Sequence, residues 1–176
     1  MSIAVSRARK LPFALFALAA SALFTRADAH VAAVTYASPY PTGTIVIDKR
    51  QHKLFLTEGN DAALAYPIAV GMAGKAWSGW AHVTGKYVKP AWSPPAIVKH
   101  DHPTMPDLIA GGAPNNPMGV AAMTLDRDEI AIHGTTISMR KSVGTSASYG
   151  CIRMLNEDVT DLFDRVAVGT PVIAVP

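Results

Sequence analysis

The sequence predicts a mainly β domain with one principal helix. Three observations predict this fold class. Short runs of β-branched and apolar residues alternate with turn-forming residues, the middle of the chain is aperiodic, and one segment near the C-terminus has helical periodicity. With 176 residues, of which 49% are hydrophobic, the chain is long enough for one compact core. We therefore expect a single folded domain.

Residues 1–29 have the pattern of a secretory signal peptide. Arg7, Arg9 and Lys10 precede an apolar run over residues 11–24, and an Ala-Asp-Ala cleavage site follows. The run is shorter than the about 20 apolar residues that a membrane-spanning helix needs. We therefore expect export to the periplasm or cell envelope and cleavage, with no stable membrane insertion. Retention as an uncleaved anchor is the alternative.

The basic character of the chain belongs to this leader. The formal net charge is +3, from 16 basic and 13 acidic residues, and the leader holds four of the basic residues and one of the acidic ones. What remains is electrically balanced. It lacks the positive surface charge that nucleic-acid-binding proteins use, so nucleic acid is excluded as a partner.

The first part of the mature chain predicts a linker and then three strands. Residues 30–43 are rich in Ala, Pro and Tyr without periodicity and are expected to form a short linker, so that the folded domain spans residues 44–176. Residues 44–48, 53–57 and 64–70 are apolar or β-branched runs separated by turn-forming residues. They predict a three-stranded meander.

Residues 71–119 predict long loops around short strands. This segment holds most of the prolines and all three tryptophans, Trp77, Trp80 and Trp92, with little periodicity. Long loops in a compact domain are often binding surfaces. Tryptophans in such loops either stack on sugars or pack the loops down, and packing is favoured here.

Two patterns raise the question of a metal site. His100 and His102 have the spacing of two ligands on one face of an extended segment, and Cys151 with His133 offers two zinc-binding side chains. Structural zinc sites take four ligands, and neither pair has the others nearby in sequence. We therefore predict no metal site and interpret residues 100–102 as a surface loop.

The last part of the chain predicts two strands, the helix and a final strand. Residues 120–125 and 129–133 predict strands joined by an Asp-Arg-Asp turn. Residues 156–166 predict the helix, because apolar residues recur at i, i+3, i+4 and i+7 and Asn156 is a favourable N-cap. Residues 170–175 predict the last strand.

Cys151 is the only cysteine of a chain that is expected to be exported. A lone thiol in an oxidising compartment is buried and inert, pairs with another chain, or is used chemically. Gly150 before it permits a sharp turn and a close approach of a substrate carbonyl, and His133, at a predicted strand end, is a candidate base. These residues alone support a nucleophile and an inert buried thiol equally.

Several motifs in sequence order resemble the L,D-transpeptidase catalytic domain family of the YkuD type. They are residues 132–135 (IHGT), 148–154 (SYGCIRM), 156–159 (NEDV) and 169–172 (GTPV). Residues 90–95 and 115–119 resemble the substrate-side loops of that family, and the resemblance covers nearly the whole chain after the leader. It implies a mixed, β-sandwich or barrel-like catalytic domain whose principal helix follows the catalytic cysteine.

The resemblance also implies roles for individual residues. Cys151 would be the nucleophile and His133 its base, and the carbonyl of Gly134 would orient the imidazole. The amides around Gly150 and Cys151 would bind the oxyanion, with Ser148 in the same stretch.

Two further residues of this stretch are placed at the substrate-binding site. Arg153 either binds a substrate carboxylate or braces the loop. Tyr149 stands where members of the family commonly carry histidine, and residues 82–85 (HVTG) differ from the Thr-Pro turn of many members. Tyr149 is therefore the residue most expected to alter substrate preference.

The function implied by the resemblance is that of a cysteine acyltransferase acting on peptidoglycan stem peptides. Cys151 would attack the carbonyl of the third residue of a tetrapeptide stem, D-alanine would leave, and an amine of a second stem would take the acyl group to give a 3–3 cross-link. Water as acceptor would give L,D-carboxypeptidase activity. No cofactor is required, because the thiol carries the acyl group. The alternatives are attachment of a protein to peptidoglycan and a non-catalytic wall-binding protein with the same scaffold.

Overall fold

The computed structural model describes residues 31–176, and the predicted signal peptide lies outside these residues. The described part is mainly β with one main helix, which confirms the predicted fold class. No helix within it is long and apolar enough to cross a membrane. The elements in chain order are β1 (Ala32–Thr35), β2 (Ile45–Asp48), β3 (Lys53–Gly59), β4 (Ala62–Pro67), β5 (Val70–Gly71), β6 (Gly79–Val88), α1 (Ala96–Asp101), β7 (Ala121–Leu125), β8 (Ala131–His133), β9 (Ser146–Ser148), β10 (Ile152–Arg153), α2 (Asn156–Arg165) and β11 (Pro171–Val175).

Nine of the strands form one sheet in the order β1-β4-β3-β2-β11-β6-β7-β8-β10, and β5 pairs with β9. The predicted meander is present as β2, β3 and β4, which pair antiparallel in sequence order. The predicted pair of strands before the cysteine is the β7–β8 hairpin. Strand β11 lies in the middle of the sheet, parallel to β2 and antiparallel to β6.

Strand β6 joins the two halves of the sheet, because it pairs with β11 through its first part and with β7 through its second. The pairing shifts register between Val83 and Gly85, as at a β-bulge, which bends the strand. The prediction of loops was wrong for this ten-residue strand. Its buried positions include Ala81 and Gly85. Because these residues are small, the sequence does not show the alternation of large apolar and polar residues that predicts a strand.

The larger of two hydrophobic clusters fills the space between the two halves of the sheet and the main helix. Helix α2 contributes Val159 and Leu162 to it, and Val166 follows directly after the helix. Sheet residues from both halves complete it, among them Ile45, Ile47, Leu54, Tyr66, Val83, Met123, Ile132 and Val172. Fixing both halves against α2 also fixes the strand ends that carry the candidate site.

The expected linker over residues 30–43 is wrong for its first part, because Ala32–Thr35 forms the edge strand β1. This strand pairs antiparallel with β4, in the register Ala32 to Ala65. The ring of Tyr36 stacks on Phe55 with 4.4 Å between the ring centroids. The segment is ordered because it covers the open edge of β4, so the domain begins earlier than residue 44.

The predicted N-cap is also wrong. Helix α2 is capped by Leu155 without a side-chain hydrogen bond, and Asn156 is its first residue. The Asn156 Oδ1 atom instead accepts from the amides of Thr135, at 2.8 Å, and Val120, at 3.4 Å. It therefore ties the start of α2 to the chain just before β7 and just after β8.

The middle segment contains a short helix that the sequence did not predict. Helix α1 lies over residues predicted to form loop, and it ends at Asp101 inside the histidine-containing stretch. Its one buried side chain is Val98, so the apolar signal of this helix is too small to be detected by periodicity.

Candidate active site

A cleft of about 890 Å³ opens at the carboxyl end of β8. Its walls come from residues 92–118, 124–133 and 138–153, which include α1, the turn of the β7–β8 hairpin and the cysteine loop. Five predicted site residues line it: His133, Ser148, Tyr149, Cys151 and Arg153. Gly134 and Gly150 are the chain neighbours of His133 and Cys151.

The sheet brings the histidine and the cysteine together. Strands β8 and β10 are parallel neighbours, with Arg153 opposite His133. Cys151 lies immediately before β10, two residues from Arg153. Because side chains alternate along a strand, Cys151 and Arg153 project to the same side, and His133 faces that side as the register partner of Arg153.

His133 is buried, with 3% of its surface exposed. Its Nδ1 atom donates to the Gly134 carbonyl at 2.8 Å, and since a carbonyl only accepts, the proton of the neutral ring is on Nδ1 and the lone pair on Nε2. Burial, together with the positive charge of Arg153, lowers the pKa of His133 to about 4, although the carbonyls of Gly134 and Pro117 oppose this. The imidazole is therefore neutral at pH 7.

The thiol of Cys151 is also neutral. Burial raises the pKa of Cys151, and the Ala131 amide and the Arg153 charge compensate for this only in part. The Sγ atom donates to the Glu129 carbonyl at 3.3 Å. Glu129 has a left-handed backbone with φ of 59°, at the turn between β7 and β8. The free protein thus holds a neutral thiol and a neutral imidazole rather than an ion pair.

The cysteine loop is held by Ser148. The Ser148 hydroxyl donates to the Cys151 carbonyl at 2.6 Å and accepts from the Gly150 amide at 3.1 Å. The Gly150 amide, which the sequence suggested as an oxyanion donor, is therefore engaged by the Ser148 hydroxyl in the free protein. The Cys151 amide donates to no acceptor among residues 31–176 and is the remaining candidate.

Gly150 must be glycine for this loop to form. Its φ is 126°, a conformation that residues with a side chain rarely adopt. A Cβ atom at this position would lie 2.8 Å from Cδ1 of Ile130. Both the backbone conformation and the lack of space exclude a larger residue.

Arg153 is a buried cation beside the cleft, with 8% of its surface exposed. One guanidinium nitrogen donates to the Ser142 hydroxyl at 2.7 Å, whereas Nε has no partner. Within residues 31–176, no carboxylate forms an ion pair with it. Burial lowers the pKa of Arg153. Such a charge favours an anionic ligand in the cleft.

Tyr149 connects the cysteine loop to α1 across the mouth of the cleft. Its hydroxyl donates to Asp101 Oδ2 at 2.9 Å and lies 3.5 Å from Nε2 of His102. Hydrogen bonds from His100 and Tyr149 lower the pKa of Asp101. Tyr149 therefore links two walls of the cleft.

His100 and His102 lie at the C-terminal end of α1. Within residues 31–176, no three or more His, Cys, Asp or Glu side chains are grouped as metal ligands. His100 bonds to Asp101 at the end of α1, and His102 lines the cleft. The segment is thus partly helical and partly cleft wall rather than a surface loop.

The sequence did not identify Trp77 as part of the site. Trp77 packs against the core from behind the cysteine loop, and its Nε1 donates to the Gly150 carbonyl at 3.1 Å. Trp92 lines the cleft, whereas Trp80 is 51% exposed. The only sequence signal for Trp77 was the expectation that tryptophans pack the loops.

The described part is thus a mainly β domain in which a cysteine, a histidine and an arginine without a carboxylate partner line one cleft. Residues 42–173 match the YkuD family, the L,D-transpeptidase catalytic domain. The chain belongs to this family, which confirms the resemblance.

Two curated relatives illustrate the similarity. The chain is 34% identical over 137 residues to the probable L,D-transpeptidase YbiS of Escherichia coli K12, covering 73% of this chain and 43% of YbiS. It is 35% identical over 135 residues to the probable L,D-transpeptidase ErfK/SrfK of Salmonella typhimurium, covering 73% and 42%. The chain thus spans less than half the length of these relatives.

Solved structures show the same fold. The L,D-transpeptidase from Mycobacterium smegmatis superposes with a TM-score of 0.57 at 16% identity, covering 76% of this chain and 58% of that one. A cysteine-to-serine variant of the Enterococcus faecium L,D-transpeptidase superposes with a TM-score of 0.57 at 18% identity, covering 77% and 50%.

Proposed function

We propose that this domain is a peptidoglycan L,D-transpeptidase in which Cys151 forms a thioester with a tetrapeptide stem. The observation that carries the proposal is the shared cleft of Cys151 and His133, in which the Gly134 carbonyl holds the proton on Nδ1 and leaves Nε2 as the base. A thiol nucleophile, a base and a group that orients the base are the parts that such catalysis needs.

Acylation begins when the carbonyl of the third stem residue reaches Sγ. Nε2 of His133 takes the thiol proton while sulfur bonds to the carbonyl carbon, and the Cys151 amide donates to the oxyanion. Collapse of the tetrahedral intermediate breaks the bond to D-alanine. The leaving amine takes the proton from His133, and a thioester remains on Cys151.

The acceptor step reverses these roles. An amine of a second stem attacks the thioester carbon, His133 takes its proton, and the thiolate leaves and is protonated. The product is a 3–3 cross-link. Water in place of the amine gives L,D-carboxypeptidase activity. The thiol carries the acyl group throughout, so no cofactor takes part in these steps.

Arg153 couples substrate binding to the strength of the base. A stem carboxylate paired with its guanidinium compensates the charge that lowers the pKa of His133. The imidazole then becomes a stronger base when substrate is bound. A neutral Cys151 thiol and a neutral His133 imidazole in the free protein are thus compatible with catalysis.

The proposed function requires a location in which peptidoglycan is present. Peptidoglycan lies outside the cytoplasmic membrane, and residues 1–29 have the pattern of a cleaved signal peptide. We place the mature catalytic domain in the periplasm or cell envelope, with stem peptides as its partners.

The test is incubation with muropeptides, followed by mass spectrometry of protein and products. The wild type should gain an acyl adduct on Cys151 and release D-alanine, and Cys151→Ala should do neither. His82→Gln, which changes an exposed histidine outside the cleft, should behave as the wild type does. Release of D-alanine by Cys151→Ala at the wild-type rate would show that the assignment is wrong.

A non-catalytic wall-binding protein is the second candidate, favoured by the raised pKa of Cys151. It predicts binding to sacculi without an adduct or D-alanine release, so the same incubation separates the two. Attachment of a protein uses the same acyl-enzyme, and an added protein amine would then appear in the cross-linked product.

A further inference from the structure

The indole of Trp77 contacts the cysteine loop but does not line the cleft. Trp77 follows β5 in the chain, packs against the core and does not line the cleft. Its Nε1 donates to the Gly150 carbonyl, with 3.1 Å between nitrogen and oxygen. The bond spans 73 positions of sequence and joins the loop before β6 to the residue before the candidate nucleophile.

The Gly150 carbonyl and the Cys151 amide belong to one peptide unit. No cis peptide bond occurs within residues 31–176, and in a trans unit the carbonyl and the N–H point in opposite directions. Because the oxygen is held toward Trp77, which does not line the cleft, we infer that the opposite side of the unit, with the Cys151 N–H, faces the cleft. We propose that Trp77 is a positioning residue that orients the Cys151 amide as the oxyanion donor; this rests on the proposed function.

Such an anchor is needed because the peptide unit follows a glycine. Without a Cβ, the backbone at Gly150 has alternative conformations in which the unit turns over and presents a carbonyl oxygen to the cleft. An oxygen there would repel the oxyanion. Ser148 holds the Gly150 amide, and Trp77 holds the other side of the residue. Donation to the carbonyl also polarises the peptide unit and strengthens its N–H as a donor.

Trp77 is itself held by Arg127, a residue of the cleft wall. The guanidinium of Arg127 lies over its ring, 4.5 Å from the centroid. Arg127 in turn donates to the carbonyls of Ser78, at 3.1 Å, and Trp80, at 2.9 Å. A phenylalanine at position 77 keeps an aromatic ring for this stack but cannot donate to Gly150.

The experiment compares two reactions of the same thiol in the full domain. Acylation by a tetrapeptide stem forms an oxyanion, whereas alkylation by iodoacetamide displaces iodide at a tetrahedral carbon and forms none. For Trp77→Phe we expect kcat of D-alanine release to fall by about 10- to 100-fold, with KM within about 2-fold, since loss of a whole donor costs about 100- to 1,000-fold. The alkylation rate should not change.

Trp80→Phe is the matched control, because Trp80 is largely exposed and makes its ring contact with Tyr40. It should behave as the wild type does in both reactions. If Trp77→Phe acylates at the wild-type rate, or slows acylation and alkylation equally, the positioning role is overturned.

A second variant covers the case in which Trp77→Phe does not fold. Benzothienylalanine at position 77 keeps the shape of the indole and replaces its N–H by sulfur, and the same selective loss of acylation is expected. Cys151→Ala is run alongside. It releases D-alanine only if the proposed function is wrong, so that failure is distinguishable from failure of the Trp77 assignment.

Discussion

Arg153 lies opposite His133, residue for residue, on the parallel strands β10 and β8. Both side chains are buried, and the guanidinium has no carboxylate partner among residues 31–176. The charge of one therefore weakens the other as a base. An anionic ligand that paired with Arg153 would compensate this unfavourable electrostatic interaction.

Replacing Arg153 by methionine tests whether this arginine binds a substrate carboxylate or braces the cysteine loop. If the arginine serves the substrate, Arg153→Met should leave the free energy of unfolding unchanged or raise it by about 1 kcal/mol, because a buried unpaired charge is removed. D-alanine release should fall by at least about 100-fold. Urea unfolding and muropeptide kinetics measure the two effects. Ser142→Ala removes the bracing hydrogen bond alone and should remain active; an inactive Ser142→Ala would favour the bracing role.

Stability should depend on pH through His133. The unfolded chain binds a proton at His133 near pH 6.5, whereas the folded protein binds it only near pH 4. The free energy of unfolding should therefore fall by up to about 3 kcal/mol as pH decreases from 6.5 to 4, and His133 should contribute no pH dependence above 7. Urea unfolding at several pH values tests this. His133→Gln should remove this part of the slope, and His100→Gln, at an exposed position, should keep it.

Alkylation of Cys151 should require a higher pH than alkylation of a free thiol. Burial raises the pKa of Cys151, whereas a free thiol titrates at about 8.5. The iodoacetamide rate should thus have its midpoint above that value. Because the Arg153 charge lowers this pKa, Arg153→Met should move the midpoint further up. A midpoint below 8 would contradict the neutral thiol.

Asn156 should stabilise the domain by joining the start of α2 to the segments next to β7 and β8, rather than by capping the helix. Asn156→Ala leaves the Thr135 amide without its acceptor, which should lower the free energy of unfolding by about 1–3 kcal/mol. Asn156→Asp keeps an acceptor oxygen and should lose less. Urea unfolding of the three proteins measures the difference. Equal losses for Ala and Asp would show that the amide nitrogen, not the oxygen, matters.

Tyr149 and Asp101 should act as a pair on substrate binding. Tyr149→Phe and Asp101→Ala each break the bond across the cleft mouth, so each should raise KM for the stem by a few-fold with little change in kcat. The double variant should be no worse than either one, because both remove the same contact. Urea unfolding should show no measurable change in stability at this exposed pair. Fully additive effects on KM would argue against the pairing.

The elements that the sequence predicted well have a local signal. The meander, the β7–β8 hairpin and α2 have apolar runs or helical spacing within a short window. Strand β6 has small residues at two inward positions, and β1 is a four-residue strand whose Val34 packs on a cluster formed by other strands. Their structure depends on partners elsewhere in the chain, namely β11 and β7 for β6, and β4 for β1.

The residues of the candidate site likewise differ in whether a local sequence pattern reveals them. Cys151, His133 and Gly134 belong to motifs that can be recognised in sequence. Trp77 donates to the backbone carbonyl of Gly150, and Glu129 accepts from the Cys151 thiol through its own backbone carbonyl. Because every residue has a backbone carbonyl, no sequence pattern reveals these contacts. Asn156 satisfied a local capping rule, but its acceptor oxygen is used by a distant segment that no local rule includes.

The central place of β11 has a consequence for how the chain reaches its native state. This last strand in chain order fills the gap between β2 and β6, so neither half of the sheet can join the other before it arrives. Removal of residues 171–176 would therefore leave the two halves joined only by the shared core, the β5–β9 pairing and the bridge between Ala69 and Arg153. The cleft, whose walls belong to one of these halves, would then lose the support that fixes it.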